Sequence, residues 1–344
     1  PQGFARAAHL FVPIGDIRMD ILGIDLAKRS FDATLLRSDG SQHHRSFANS
    51  PDGFAQLDAW LRERGVERLQ ACMEATNVYW EDLALWLYQH DCIVSVVNPA
   101  RIKGYAQATL QRNKTDKLDS AIIASFAAKH QPDAWQPMTA EQQQLRALTR
   151  HRDDLMQTKL QQTNRLRDTK DPFVRASLEA LVKVITNQIR EIERQIRVHT
   201  AAQEQIKANL ALLTSIVGIG ALTASKMMAE CGELRRYSSA RAVAADMGVT
   251  ASKYESGTSV RRRAKMSKMG NAVMRAALYM PALTAMRRCP ACQAFVERLR
   301  RRGKPSKVII GAVMRKLVHA MYGVLKHQQP YDPAKVFGSV SSST

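Results

Sequence analysis

Three things are scarce in this sequence, and each scarcity narrows what the chain can be. Cysteines number five in 344 residues (Cys72, Cys92, Cys231, Cys289 and Cys292), an odd count that argues against a disulfide framework and for a reducing compartment. Cys289 and Cys292 form a CxxC, but no second pair and no spaced His pair completes a zinc site, so the pair is read as structural. No run of 18 or more apolar residues occurs, and no stretch has the form of a signal peptide, so a globular cytoplasmic protein is expected. Acidic residues are also short: 31 Asp+Glu against 51 Lys+Arg leave a net charge of +20.

That charge is unevenly placed. Residues 1–138 carry 15 Lys+Arg and 16 Asp+Glu, net −1, so the remaining 36 basic and 15 acidic residues give 139–344 a net +21. Phosphates dominate encounters with such a segment and counterion release drives them, so a polyanion partner is expected, with a membrane surface the weaker alternative. With 45% hydrophobic residues, a chain of this length can bury more than one core, and two or three domains are expected.

Along the chain, residues 1–18 begin with Pro and fit no element that follows; they are read as an artificial remnant or upstream read-through. From Asp20 the pattern gives strands DILGIDLA and FDATLLRS, a third near His44 to Phe47, a helix from Pro51 to Arg64, a strand LQACMEA, a helix from Val78 to His90, and a strand CIVSVVN. Three strands followed by strand and helix in alternation predict a mixed α/β sheet covered by helices. Residues 139–207 read as long helices. Leu178, Val182, Ile185, Ile189, Ile192 and Ile196 form a narrow apolar seam of coiled-coil type, and Asp168 to Phe173, with Pro172, should turn one helix back on another. An intramolecular hairpin and an oligomer contact fit that seam equally. A loose tail closes the chain from Gly338.

Four carboxylates fall where such a sheet would gather them. Asp25 ends the first strand, Glu74 ends LQACMEA, and Asp116 and Asp119 share one helix face by i, i+3 spacing. Gathered carboxylates repel unless a cation compensates, and hard oxygen donors suit Mg²⁺ or Mn²⁺. Taken singly, Asp25 is equally a turn residue, and Asp116 with Asp119 a helix N-terminal charge pair.

Downstream, Gly248 to Asn271 combines hydroxyls, glycines and cations. Ser256 sits between Glu255 and Gly257, with Arg261, Arg262, Arg263, Lys265 and Lys268 close behind, which suits a nucleophile beside a phosphate-binding surface. A solvated basic loop with turn-forming serines is the alternative. LLTSIVGIGALTA, with Gly218 and Gly220, fits a helix-hairpin-helix that points backbone N–H groups at a phosphate, or a plain helix cap. The methionines at 266, 269, 274, 280 and 286 are expected in a helical core, and Arg298 to Lys307, including Arg300, Arg301, Lys304 and Lys307, on a basic surface for backbone contacts.

GIDLAK, MEAT, NPARIKGYAQA and RNKTDKLDS resemble the DEDD domain of the Piv-type insertion-sequence transposases, which is similar to the RuvC resolvase fold. LLTSIVGIGALTA, the helical GVTASKYESGTS, MSKMGNAVMRAALYMPA and GKPSKVIIGAVMRKL resemble that family's C-terminal transposase domain, so the likeness runs from about Met19 to Tyr331. It implies an RNase H-like (RuvC-like) domain at 19–138, a helical coiled-coil region at 139–209, a mainly α transposase domain at 210–333 and a tail at 334–344. It further implies a transposase guided by a structured bridge RNA, acting on donor and target DNA as a homo-oligomer, with Ser256 forming a covalent 5′-phosphoserine. The composite site expected from it has Asp25, Glu74, Asp116 and Asp119 holding the metal, Ser256 attacking, and nearby Arg or Lys binding the developing charge. Ser252, Ser259 and Ser267 lie close to Ser256, which the YESG match alone selects. The rival readings are a junction-resolving nuclease that uses water, and a non-catalytic nucleic-acid-binding protein.

The segregated charge makes a measurable demand. If six to ten phosphates are neutralised, affinity for nucleic acid should fall roughly a thousandfold or more between about 50 and 200 mM salt, measured by fluorescence anisotropy. A flat salt response would refute the polyanion partner.

Overall fold

Apolar residues of β1 (Asp20–Leu26) and β2 (Ser30–Leu36) build the middle of a sheet, and the polar β3 (Gln42–Ala48), which buries only Phe47, forms its edge. The computed structural model describes residues 19–75, 78–109, 115–232, 234, 237–256, 260–267 and 269–338, with the backbone alone at 253–256 and 260–265. It divides into two units, 1–137 and 138–344.

In the first unit β4 (Leu69–Glu74) and β5 (Ile93–Val97) extend the sheet, in the order β3-β2-β1-β4-β5. β1, β2 and β3 are antiparallel neighbours, and β4 and β5 run parallel to β1. The sheet is therefore mixed, as expected. Because side chains alternate across a strand, Leu22, Ile24 and Leu26 meet Phe54, Leu57 and Trp60 of α1 (Pro51–Arg62) and Leu83 and Leu87 of α2 (Glu81–Gln89) on one face. Cys72 and Val97 lie on the other face, in one cluster with Ile102 of α3 (Pro99–Ala108) and Ile123 and Phe126 of α4 (Asp116–His130). The helix expected from Val78 begins only at Glu81; residues 78–80 form a turn whose Trp80 ring meets Trp135 edge-on at 5.6 Å.

Helix α4 sits unusually close to the sheet. A Cβ at Gly23 would fall 2.2 Å from the Ser120 carbonyl oxygen and 2.3 Å from the Ala124 nitrogen, so only glycine admits the helix there. The Thr34 and Ser120 hydroxyls, 2.7 Å apart and buried, tie the same turn of α4 to β2.

The second unit starts with α5 (Ala140–Asp168), opened by a Thr139–Gln142 capping box, and α6 (Pro172–Ala202), with Asp171 as its cap and Pro172 in its first turn. The two pack as a helical hairpin. Leu178, Ile185, Ile189 and Ile196 of the seam are buried, whereas Val182 and Ile192 are half-buried. Arg152 of α5 donates to Glu193 of α6 at 2.8 and 2.9 Å, and the His199 ring nitrogen lies 2.9 Å from the Glu141 carbonyl oxygen.

Helices α7 (Glu204–Thr214), α8 (Ala221–Cys231), α9 (Ala240–Asp246), α10 (Ala272–Ala277), α11 (Tyr279–Arg288) and α12 (Pro290–Arg301) share one core with α13 (Ser306–His327), and α14 (Pro333–Phe337) follows. By length and composition α13 could cross a membrane, yet Val313, Leu317, Val318 and Met321 are fully buried in this core. Cys289 and Cys292 are buried there too. The expected methionine core is corrected: Met274 is fully buried and Met286 packs against the cluster, but Met266, Met269 and Met280 are exposed. Met266 ends a strand and Met269 lies outside any helix, so neither can share a helical stripe.

The expected helix over GVTASKYESGTS is also corrected. Ala251–Ser256 and Val260–Met266 form strands β6 and β7 of an antiparallel hairpin, pairing Tyr254 with Arg262, Glu255 with Arg261 and Ser256 with Val260. The segment has no apolar residues at helical spacing to bury, and its Tyr, Thr and Val favour strand.

Gly23→Ala should push α4 off the sheet and cost about 1–3 kcal/mol of stability by urea denaturation. Gly104→Ala is the control, since a Cβ there meets nothing within 4 Å. Equal stability of both variants would contradict the close-approach role of Gly23.

Candidate active site

The period-two alternation that builds the sheet also decides where its carboxylates go. Asp25 lies on the α4 face of β1, two residues beyond Gly23, and Asp32 is its cross-strand partner on β2. Glu74, at the end of the parallel strand β4, comes one register step after the Ile24–Met73 pair and so falls beside Asp25. α4 brings the remaining two. Thr115 caps it by accepting from the Leu118 N–H at 3.3 Å, which places Asp116 and Asp119 in the first turn, where the helix dipole favours anions.

The carboxylate oxygens of Asp25, Asp116 and Asp119 come within 4.8 Å of one another, with Asp25 and Asp119 half-buried and Asp116 exposed. Burial first, and then the neighbouring Glu74, Asp119, Asp116 and Asp32 in that order, together push the Asp25 carboxyl up to about 6. Three of the four carboxylates named in the sequence thus come together, while Glu74 acts on Asp25 through its charge without joining the cluster of oxygens. An all-oxygen, anionic donor set of this kind fits a hard divalent cation such as Mg²⁺ or Mn²⁺.

Asp32 is a fifth carboxylate that the sequence reading missed. It accepts from the Ser46 hydroxyl at 2.5 Å and lies 3.0 Å from the His44 ring nitrogen, so β3 holds it in place. Its signal was its position inside an alternating strand on the polar side, legible only once the pairing with Asp25 is known.

In the second unit, the root of the β6–β7 hairpin is pinned. A Cβ at Gly270 would fall 2.4 Å from the Asp246 carbonyl oxygen and 2.6 Å from the Gly248 nitrogen. Asn271 caps α10 by accepting from the Met274 N–H and donates to Glu230 at 3.2 Å. Glu230 is almost wholly buried and receives two bonds from Arg150 of α5, at 2.7 and 2.9 Å. Burial works to raise its carboxyl, but Arg150 and Asn271 prevail and hold it below the usual range. The backbone of Ser256 ends β6. The side chains of Ser256, Arg261, Arg262, Arg263 and Lys265, and all of Ser259 and Lys268, lie outside the described residues. Of the other serines, Ser252 is exposed on β6, and Ser267 accepts from the Met269 N–H at 3.2 Å in a local turn.

Gly218 and Gly220 fall between α7 and α8. Gly218 has positive φ and lies against α11, where a Cβ would meet the Pro281 carbonyl oxygen at 2.5 Å; Gly220 is the N-cap residue of α8 and faces open space. Arg300 and Arg301 end α12 beside Glu297, and with Lys304 and Lys307 they are exposed.

A carboxyl raised above its unfolded value binds its proton more tightly when folded, so the stability it contributes is full below about 3.8 and is lost as pH rises through about 6. Asp25→Asn should therefore stabilise the metal-free protein at pH 7.5 by on the order of 1 kcal/mol, after discounting for partial exposure, and add little near pH 4.5. Thermal melts in EDTA at the two pH values check this. An equal effect at both would contradict the clustering.

Known proteins carry the same two blocks. Residues 22–171 match a model for the IS110 DEDD transposases, described as "Transposase", and residues 210–297 match one described as "Transposase IS116/IS110/IS902 family". The pilin gene-inverting protein of Moraxella bovis is 32% identical over 314 residues, covering 90% of this chain and 97% of that protein, and its Moraxella lacunata counterpart matches equally. A transposase for insertion sequence element IS1328 of Yersinia enterocolitica is 25% identical, over 69% of this chain and 75% of its own length. The chain belongs to the IS110-type DEDD transposases, enzymes of DNA recombination.

Proposed function

We propose that this transposase cuts and rejoins DNA through a covalent phosphoserine at Ser256, assisted by a divalent ion held by Asp25, Glu74, Asp116 and Asp119, and that a structured bridge RNA selects its donor and target DNA. The observation that carries the reading is the convergence of Asp25, Asp116 and Asp119 on one point, with Glu74 acting on Asp25. Bound there, Mg²⁺ or Mn²⁺ would lower the serine pKa and polarise the scissile phosphate. Ser256 Oγ forms a bond to phosphorus, the 3′-oxygen leaves with a proton, and a 5′-phosphoserine results. Because the phosphodiester is exchanged rather than hydrolysed, the reverse attack rejoins strands without ATP.

Arg261, Arg262, Arg263, Lys265 and Lys268 stabilise the charge developing at phosphorus, and Gly218, Gly220, Arg300, Arg301, Lys304 and Lys307 contact the backbone of the nucleic acid. The printed name of the Moraxella relatives, a gene-inverting protein, favours strand exchange over degradation. The strand order β3-β2-β1-β4-β5 supports a RuvC-like domain at 19–138, and the α5–α6 hairpin supports a coiled-coil region at 139–209 ahead of a transposase domain at 210–333. Two DNA partners call for more than one protomer, with Ser256 of one serving the carboxylates of another, in the bacterial cytoplasm. The carboxylate cluster alone would equally suit a junction-resolving nuclease, so the serine is the point to test.

Ser256→Ala removes one hydroxyl, and its stability effect should stay within about 0.5 kcal/mol. Cleavage and the covalent protein–DNA adduct should both vanish on denaturing gels with labelled donor DNA and cognate RNA. Ser259→Ala and Ser267→Ala should keep the adduct. Undiminished cutting by Ser256→Ala would establish water as the nucleophile, and an adduct lost only in Ser259→Ala would move the nucleophile to that residue.

A further inference from the structure

At the C-terminal end of α13 a cavity of about 260 Å³ opens between that helix and the segment leading into α14. Its lining includes Lys316, Lys335, His319 and His327, together with Gly323 and Tyr331, and the Lys316 ammonium donates to the Val336 carbonyl oxygen at 2.5 Å. One carboxylate, Asp332, also borders it; one of its two oxygens caps α14 by accepting from the Ala334 N–H at 2.9 Å.

Two features of this cavity are not explained by folding. First, Gly323 lies inside a 22-residue helix, where glycine costs about 1 kcal/mol relative to alanine. Packing does not require it: a Cβ there would meet nothing within 4 Å, whereas Gly311 on the same helix faces Met266 at 2.6 Å. The bare backbone at 323 keeps the cavity wall clear. Second, the Nε2 atom of His319 is buried and makes no hydrogen bond among the described residues, an uncommon state for a buried polar atom. Burial and the nearby Arg315, Lys316 and Arg241 hold that ring neutral, which leaves it suited to bonding a neutral polar edge rather than to ion pairing.

Apolar wall, aromatic ring, unbonded imidazole and flanking cations form a combination that suits one kind of ligand. A base is flat and apolar on its faces, polar at its edge, and joined to a phosphate. The volume lies just below the roughly 300–1,000 Å³ of small-molecule pockets, which suits a single unit of a polymer. We propose that this cavity receives one unstacked nucleotide of a bound nucleic-acid strand, its base beside Gly323, Tyr331 and His319 and its phosphate beside His327 and Lys335. Nothing in the strand-exchange chemistry requires such a site. It would fix the register of a bent or unpaired strand on the second unit, because extruding a base is cheapest where the strand is already unpaired.

The proposal rests on the nucleic-acid reading only in its second arm, so two measurements on the full chain separate the failures. In calorimetry at low salt, 5′-dAMP should bind saturably, and Gly323→Leu and His319→Ala should each weaken it at least about tenfold, with inorganic phosphate at least about tenfold poorer than dAMP. Gly323→Ala should melt no lower than the unsubstituted protein, showing that the glycine is not structural. If Gly323→Leu does not fold, His319→Ala and Lys335→Ala carry the test. In the second arm, a single-stranded oligonucleotide bearing one 2-aminopurine should brighten on binding, and Gly323→Leu should remove that signal while retaining total binding by anisotropy. Unchanged dAMP affinity in Gly323→Leu, or phosphate competing as well as dAMP, overturns the nucleotide cavity. A dAMP response with no 2-aminopurine response overturns the strand-borne assignment and leaves a free-nucleotide site. An oligonucleotide that fails to bind even the unsubstituted protein refutes the nucleic-acid reading instead.

Discussion

The close approach of α4 to β1 at Gly23 is the contact on which the acidic centre depends. Asp25 is fixed by the strand, but Asp116 and Asp119 reach it only because the helix lies against bare backbone two residues earlier. The buried Thr34–Ser120 bond opposes sliding of the helix along the groove, since the Thr34 hydroxyl would lose that partner, whereas Ser120 also donates to the Lys117 carbonyl oxygen. Sheet order completes the arrangement. β1 lies between an antiparallel and a parallel neighbour, so Asp32 and Glu74 flank Asp25 from opposite sides. A centre built this way is destabilising by construction, and the raised Asp25 carboxyl is the measure of it. Functional sites commonly carry such unfavourable electrostatics, offset by the fold around them.

The second unit solves a different problem, holding a polar two-stranded ribbon that has little apolar surface of its own. An isolated hairpin is marginal in water. Here the root supplies what the strands lack: the Gly248–Gly270 contact, the Ser267–Thr250 backbone bond, and the buried Glu230 joining Arg150 of α5 to Asn271 at the start of α10. Removing either partner of that carboxylate would strand a buried charge, so the helical hairpin and the ribbon root are energetically coupled. The basic surplus of residues 139–344 therefore sits on a unit with a shared helical core.

Much of this was legible in the chain. The five strands of the sheet and the hairpin of long helices with Pro172 at its turn follow from periodicity and from turn and cap chemistry, which act over a few residues. So does the acidic set, since strand ends and an i, i+3 pair are local facts. The likeness of the motifs to the IS110-type transposases was equally present in the sequence, and the relatives bear it out along nearly the whole chain.

Other features depended on contacts between distant segments, which local patterns do not encode. The segment around Ser256 lacks helical spacing, yet only its pairing with Val260–Met266 makes it a strand. Met266, Met269 and Met280 resemble core residues by composition, but tertiary packing leaves them outside. Asp32 became part of the acidic centre through its register opposite Asp25, and Gly323 became informative only once the space beside it was seen to be open. The sequence by itself determined which residues could gather, because residue type and period are written locally. Tertiary structure decided which of them meet, because strand register and helix approach are set by pairings between segments far apart in the chain.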